Sequence, residues 1–286
     1  MPPPGNTLGI IVGAGDLPLA IARAAESEGR KVFLLGLEGI TDPKAIERFP
    51  HGFTGLGELG RAIRLLREAE CSEVTFAGKV SRVEFSKLKL DTKGALALPR
   101  IVAAAVKGDD ALLRALLAMF EREGLRVVGS AEVARDLLAP LGPLGRVTPS
   151  PEDESDILHG LRVVQAMGAL DIGQAAVVCR GLVLAVEAAE GTDAMLTRVA
   201  SLPETLRGTI KQRKGVMVKA VKPRQERRVD LPVVASRTVE LVAAAGLSGL
   251  AIQAGGVLII DREKLAADAD RLGVFVHGFK PESPQP

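Results

Sequence analysis

The 286-residue sequence predicts an α/β protein in two domains, and three observations carry that expectation. Residues 8–12 form an apolar strand, 13–18 a glycine turn, 19–28 a helix and 31–37 a second strand, which makes one βαβ unit at the start. Short apolar strands and patterned helices then alternate along the whole chain, in the second half as in the first. Between them lies LAPLGPLGRVTPSP, residues 138–151, the densest interior run of Pro and Gly and the expected linker. The predicted organisation is a Rossmann-like nucleotide-binding domain over residues 1–147 and a second α/β domain over residues 148–286.

In the first half, Gly13-Ala14-Gly15 follows a strand and opens a helix, a placement that offers backbone N–H groups and a helix N-terminus to phosphate. Pro18 stands where a dinucleotide fingerprint needs its third glycine, so the loop suits another nucleotide better than NAD, and a simple tight turn is the alternative. The helix expected at 61–70 repeats Ile63, Leu66 and Ala69 along one face. After a strand at 73–77, Gly78-Lys79-Val80-Ser81-Arg82 is a second ligand-loop candidate, at the strand end where open α/β sheets bind ligands. Residues 99–105 read as a helix or buried run. Asp109 or Asp110 is then expected to cap a helix over 111–123, and a strand at 126–129 closes the first sheet.

The second half opens with a helix at 152–167, followed by strands at 175–179 and 181–188 with Arg180-Gly181 at the hairpin corner. Asp193, in Glu190-Gly191-Thr192-Asp193, is either the cap of a helix at 194–200 or a metal or substrate ligand. A helix at 236–245 ending on Gly246, strands at 249–254 and 257–261, a helix at 262–272 and a last strand at 273–278 complete the domain.

The stretch 211–232, KQRKGVMVKAVKPRQERRVDLP, holds the densest chemistry. An apolar strand at 215–221 leads into a loop carrying Lys219, Lys222, Arg224, Arg227 and Arg228, and Asp230 reads as one carboxylate among them. Pro232 keeps Leu231 out of the helical region, which places Asp230 on an extended or turn segment at the end of an element. That pattern suits a grip on a phosphorylated substrate with a carboxylate for a metal or a water, the alternative being a solvated basic loop.

Composition narrows the function. Hydrophobic residues are 47% and charged residues 25%, enough for large cores. Trp and Tyr are absent and Phe numbers eight, which argues against stacking on single-stranded nucleic acid, and a net charge of +2 leaves no polyanion footprint. No nucleic-acid partner is expected. Cys71 and Cys179 each sit in an apolar run and read as buried free thiols of a reducing compartment. Met1-Pro2-Pro3-Pro4-Gly5 has no basic or apolar signal region, and no run approaches the ~20 apolar residues a membrane span needs. A cytoplasmic protein is expected. H-E-x-x-H, CxxC, G-x-S-x-G and the Walker A lysine signature are all missing. Oxygen ligands, glycine loops and local cations remain, an inventory that favours phosphoryl or pyrophosphate chemistry with a hard cation such as Mg²⁺.

Five phrases occur in order: Phe76-Ala77-Gly78-Lys79-Val80-Ser81-Arg82; Lys107-Gly108-Asp109-Asp110; Asp171-Ile172-Gly173-Gln174; Glu187 through Met195; and Lys222-Pro223-x-Gln225 through Val229-Asp230-Leu231-Pro232. Together they resemble the two-domain UDP-2,3-diacylglucosamine pyrophosphatases, nearly end to end. The resemblance implies a Mg²⁺-supported hydrolase of lipid A synthesis that yields UMP and 2,3-diacylglucosamine 1-phosphate. It implies Asp230 as the essential aspartate, and Asp230 and Asp193 are the expected metal ligands. Substrate contacts are expected from Gly13, Gly15, Gly78, Lys79, Ser81, Arg82, Asp109, Asp110, Gln174, Thr192, Asp193, Lys219, Lys222 and Gln225. Departures from the family pattern are Ala14 and Ala235, both in place of glycine, and Lys79 in place of a small polar residue.

Two acyl chains in the substrate cost about 0.8 kcal/mol per CH₂ group in water, so peripheral contact with the inner membrane and an acyl groove in the second domain, around residues 194–206, 236–250 and 265–272, are expected. A homodimer is left open. The competing readings are a non-hydrolytic nucleotide- or lipid-binding module and, disfavoured by Pro18, an NAD-dependent oxidoreductase.

Overall fold

Residues 7–80, 84–223 and 226–280 are described by a computed structural model, Asp109 by its backbone alone. The chain forms two units: Met1–Asp136 with Glu226–Asp230, and Leu137–Gln225 with Leu231–Pro286.

The first unit runs β1 (Thr7–Val12), α1 (Leu17–Ser27), β2 (Val32–Leu37), α2 (Pro43–Ile46), β3 (His51–Thr54), α3 (Leu59–Glu68), β4 (Cys71–Ala77), α4 (Thr92–Ala105), α5 (Asp109–Arg122), β5 (Arg126–Val127) and α6 (Ser130–Val133). All pairings in its five-stranded sheet, of order β3-β2-β1-β4-β5, are parallel. This is the doubly wound order the βαβ start implies. β1 is central and covered on both faces, so all six of its residues are buried and it reads as an unbroken apolar run. The chain winds outward from β1 to β3, then crosses back to β4, which makes the C-terminal ends of β1 and β4 the switch point of the sheet. Glu73, buried on β4, is held by Arg30 at 2.5 Å and by Arg126. Burial opposes its charge, but the two guanidinium groups prevail and hold its carboxyl below the usual range.

The second unit runs β6 (Gly142–Pro143), α7 (Pro151–Ala169), β7 (Ala175–Cys179), β8 (Leu182–Val186), α8 (Gly191–Ala200), β9 (Val216–Lys219), β10 (Val233–Val234), α9 (Ser236–Ala244), β11 (Gly249–Gln253), β12 (Leu258–Ile259), α10 (Arg262–Leu272) and β13 (Phe275–Phe279). Its mixed sheet has the order β6-β13-β11-β9-β7-β8, with β10 and β12 pairing apart from it. Strand alternation sorts the core. Val216 and Val218 pack with Ile157, Leu161 and Val164 of α7, while Met217 packs with the residues of α8, α9 and α10. Residues 138–151, expected as a linker, are built into this unit: β6 pairs antiparallel with β13, and Ala139 exchanges backbone hydrogen bonds with Val257 and Gly255. Ser150 closes a capping box with Asp153 at the start of α7.

The hairpin corner lies where expected. Arg180 and Gly181 both have positive φ, and their N–H groups donate to the two oxygens of buried Asp156 at 2.8 Å each. Cys71 and Cys179 are buried and unpaired, and burial pushes the Cys71 thiol up to about 12. The apolar residues considered for an acyl groove, among them Met195, Leu196, Val199, Val239, Val242 and Leu265, are fully buried in the unit's own core.

Candidate functional site

At the sheet's switch point the two glycine loops are one structure. Ala14 and Lys79 exchange backbone hydrogen bonds, each N–H donating to the other's carbonyl at 2.8 Å, and the Gly13 N–H donates to Ala77 at 2.8 Å. Glycine is required by the approach: a Cβ on Gly78 would lie 2.7 Å from the Gly13 carbonyl carbon, and a Cβ on Gly13 would lie 2.7 Å from the Lys79 oxygen. Gly15, at φ +94°, has nothing near its absent Cβ and leaves the surface open before the N-terminus of α1. The Thr41 hydroxyl donates to the Val12 carbonyl at 2.5 Å and fastens the turn after β2 to the same edge. That turn and Phe53 line a cavity of about 540 Å³, with Glu38 and Asp42 at its wall. Gly13, Gly15, Gly78 and Lys79 thus belong to one edge of the sheet, and none of the four lines the cavity beside it. Ser81 and Arg82 lie outside the described residues.

Asp230 stands at the end of a pinned turn in the first unit. Its own N–H and that of Val229 donate to the Glu226 carbonyl, at 3.1 and 3.2 Å. The Glu226 N–H donates to Asp110 Oδ1 at 2.8 Å, and the Ser130 N–H to the Arg228 carbonyl at 3.1 Å. Arg228 forks onto Glu226, Nε to Oε1 at 2.9 Å and Nη2 to Oε2 at 3.0 Å, and its Nη1 reaches Glu121 at 2.7 Å. The Val229 side chain packs on the core that holds Leu117 and Phe120. Asp230 itself is half-buried, three residues before β10.

This arrangement corrects two expectations. Glu226 is a second carboxylate in the loop, and Arg228 answers to it and to Glu121, so the guanidinium holds the turn. Neither Asp109 nor Asp110 caps α5: Gly108 is the cap residue, at φ +120°, with no side-chain cap bond. Asp109 opens α5, and Asp110 accepts the Glu226 amide and pairs with Arg114 at 2.6 Å. Arg224 and Gln225 lie outside the described residues.

In the second unit the structure gathers residues that are far apart in the chain. Lys219 is the last residue of β9, not a loop residue, and is only 5% exposed. Its Nζ donates to Thr192 Oγ1 at 2.7 Å, and Thr192 donates to Glu187 Oε1 at 2.5 Å. Glu187, 7% exposed, also accepts the Gln174 N–H at 3.3 Å. Gly173 is required here, since a Cβ would lie 2.1 Å from the Glu187 carbonyl oxygen. Lys222 Nζ meets Asp171 at 2.7 Å. Asp193 does not cap α8, whose cap residue is Glu190. It sits exposed in the first turn, where the helix dipole favours a carboxylate. Sequence reasoning passed over Glu187 and Glu226 as site-builders. The signal that could have found them was each acid's place inside a phrase rich in candidate residues.

Among the described residues no group of three or more His, Cys, Asp or Glu side chains forms a metal-binding set. The two carboxylates expected to hold a metal are Asp230, in the first unit, and Asp193, in the second.

Two family models cover nearly all of the chain, the LpxI N-terminal domain over residues 7–137 and the LpxI C-terminal domain over residues 140–277. The chain belongs to the LpxI family. It is 49% identical over 275 residues to the UDP-2,3-diacylglucosamine pyrophosphatase LpxI of Caulobacter vibrioides, covering 96% of this chain and 98% of the relative. Among solved structures, CobK precorrin-6A reductase aligns with 97% of this chain and 90% of its own, at 12% identity and a TM-score of 0.33, a likeness too slight to bear on function.

The departures from the LpxI pattern are accommodated by the backbone. Ala14 and Lys79 meet through main-chain hydrogen bonds, which ask nothing of their side chains. Ala235, the cap residue of α9, has φ −146°, an extended conformation open to any residue.

Proposed function

We propose that the protein hydrolyses the pyrophosphate bond of UDP-2,3-diacylglucosamine, releasing UMP and 2,3-diacylglucosamine 1-phosphate, as a step of lipid A synthesis. The observation that carries this is the identity of 49% across 96% of the chain to a relative named for that activity. The pinned turn that ends in Asp230 supports it, because a turn held from four directions keeps the backbone of Asp230 in place when substrate arrives.

In this reading the glycine edge at β1 and β4 receives the nucleotide half, with the N-terminus of α1 toward phosphate. Buried Lys219, oriented by Thr192, and Lys222 are the cations for the phosphorylated sugar. Asp230 orients the water. As the water's oxygen bonds to the β-phosphorus, the bond from that phosphorus to the bridging oxygen breaks. The bridging oxygen leaves on UMP with its electron pair, and the water's proton passes to a base.

Mg²⁺ support is part of this reading. Mg²⁺ is commonly carried by substrate phosphates with one or two protein carboxylates, and Asp230 and Asp193 are oxygen donors of that kind. When bound, the ion would offset negative charge on the diphosphate oxygens.

The test is incubation with UDP-2,3-diacylglucosamine and Mg²⁺, in parallel with EDTA, following UMP release in H₂¹⁸O. Turnover with label in the sugar phosphate and loss of rate in EDTA are expected. Persistent capture of intact substrate would mark a binding module, and label in UMP would move the attack to the α-phosphorus.

A further inference from the structure

α4 is the most apolar surface that the first unit leaves open. Leu96 is 77% exposed, Val106, one residue past the helix, 85%, and Val102 38%. At 100° per residue Ala95, Pro99, Val102 and Val106 fall on one line, with Leu96 and Ala103 beside it, and Ala95, Pro99 and Ala103 are exposed as well. The opposite side is the buried one: Gly94 is pressed so closely on the Gly57 carbonyl that no Cβ would fit, and Ile101 is buried. The apolar stripe is therefore not part of the unit's core.

Charge says what such a stripe meets. On α4 and its flanks, residues 84–110, the chain carries five cations, Lys87, Lys89, Lys93, Arg100 and Lys107, and four acids, Glu84, Asp91, Asp109 and Asp110, none of the four within α4. Asp91 is occupied as the cap of α4, accepting from the Gly94 N–H at 2.7 Å. Lys87 and Lys93 have acidic partners, Glu84 and Glu123, but Arg100 and Lys107 are exposed and make no salt bridge among the described residues. They flank the stripe on one side, about 20–40° beyond Leu96. An exposed apolar helix face bordered by cations, with no acid on the helix itself, is the pattern of a segment that lies in the headgroup region of an anionic bilayer.

We infer that α4 is the membrane-contact surface of the protein, with Leu96, Val102 and Val106 entering the lipid boundary and Arg100 and Lys107 on anionic headgroups. Only its purpose, access to a two-chain lipid substrate, rests on the proposed function; the surface itself is tested without substrate.

The experiment is sedimentation of the full-length protein with vesicles of phosphatidylcholine alone and of phosphatidylcholine with phosphatidylglycerol. The wild type is expected to bind the anionic vesicles. Leu96→Glu with Val106→Glu should lose at least ten-fold in affinity. Arg100→Gln with Lys107→Gln should lose roughly 25-fold on anionic vesicles, since each cation near such a surface is worth roughly five-fold. These side chains are exposed, so the variants should fold, and their hydrolysis of detergent-dispersed substrate should match wild type. A wild type that ignores anionic vesicles, or variants that bind as it does, would overturn the inference. So would a dimer that the Leu96 and Val106 changes split while vesicle binding is kept, which would assign the stripe to a second copy. If no protein releases UMP, the proposed function fails, and the vesicle result still decides the surface.

Discussion

The carboxylate of Asp110 accepts the backbone N–H of Glu226 at 2.8 Å, so an acid in the first turn of α5 holds the start of the turn that ends in Asp230. A hydrogen bond to a charged acceptor is worth about 1.5–3 kcal/mol, and here it acts on the placement of a second carboxylate. Asp110→Ala should lower stability by about 2 kcal/mol and kcat by at least ten-fold. Asp110→Asn keeps an acceptor oxygen and should restore most of the rate. Its lost ion pair with half-exposed Arg114 is worth little. Equal loss of kcat in both variants would show that the negative charge, and not the anchor, is what matters.

Asp230→Ala should fold and bind UMP as wild type does, while kcat falls by about 10²–10⁴, the range for a lost catalytic acid or base. Thermal melting, UMP titration and single-turnover assays check the three parts. Unfolding, or turnover near the wild-type rate, would remove Asp230 from the chemistry.

The two glycines of the nucleotide edge should behave differently. Gly78→Ala forces a Cβ to within 2.7 Å of the Gly13 backbone at φ +94°, so it should cost more than about 2 kcal/mol and abolish UMP binding. Gly15→Ala meets no atom within 4 Å and has only its positive φ to bear, about 1–2 kcal/mol. Urea melts and UMP titrations of both variants separate clash from backbone strain. Equal destabilisation would mean the approach of the two loops is looser than the geometry shows.

Removing the cation from the buried Lys219–Thr192–Glu187 chain should leave Glu187 poorly compensated. Lys219→Met is expected to cost about 3 kcal/mol. Lys219→Met with Glu187→Gln should cost less than the two single changes together, because the double variant buries neither charge. Additive costs in a double-mutant cycle would show that the two groups do not sense each other.

Glu226 gives a pH dependence of known sign. Arg228 lowers the pKa of Glu226 below the ordinary 4.5, against partial burial. A depressed carboxyl contributes stability that is complete above its unfolded pKa and is lost as pH falls through the folded value. Wild type should therefore exceed Glu226→Gln in urea melts at pH 6, and the gap should close progressively below about pH 4.5. A gap that is constant down to pH 3 would show that the Arg228 fork does not stabilise the fold.

Much of the organisation was legible in the residues themselves. The apolar run of β1, the glycine turn and the next strand announced a parallel sheet, because a strand covered on both faces must be apolar throughout. The bounds of α10 follow from its sequence, since Asp261 and Gly273 are local stop signals. Phrases around Gly78, Gln174, Thr192 and Asp230 marked the family because they stand in order along the chain. What each residue does there depended on tertiary structure. Arg228 read as one loop cation among several and Asp110 as a cap or substrate contact, and the partners the fold gives them are Glu121, 107 residues before the arginine, and the Glu226 amide, 116 residues after the aspartate. Lys219 looked like a loop cation until strand pairing set it in β9 against Thr192. Local propensity determines which segments are strands and helices, through hydrogen bonds and side-chain spacing within a few residues. The partner of a charge is chosen by which distant segments the fold brings within about 3 Å, and no local pattern encodes that distance.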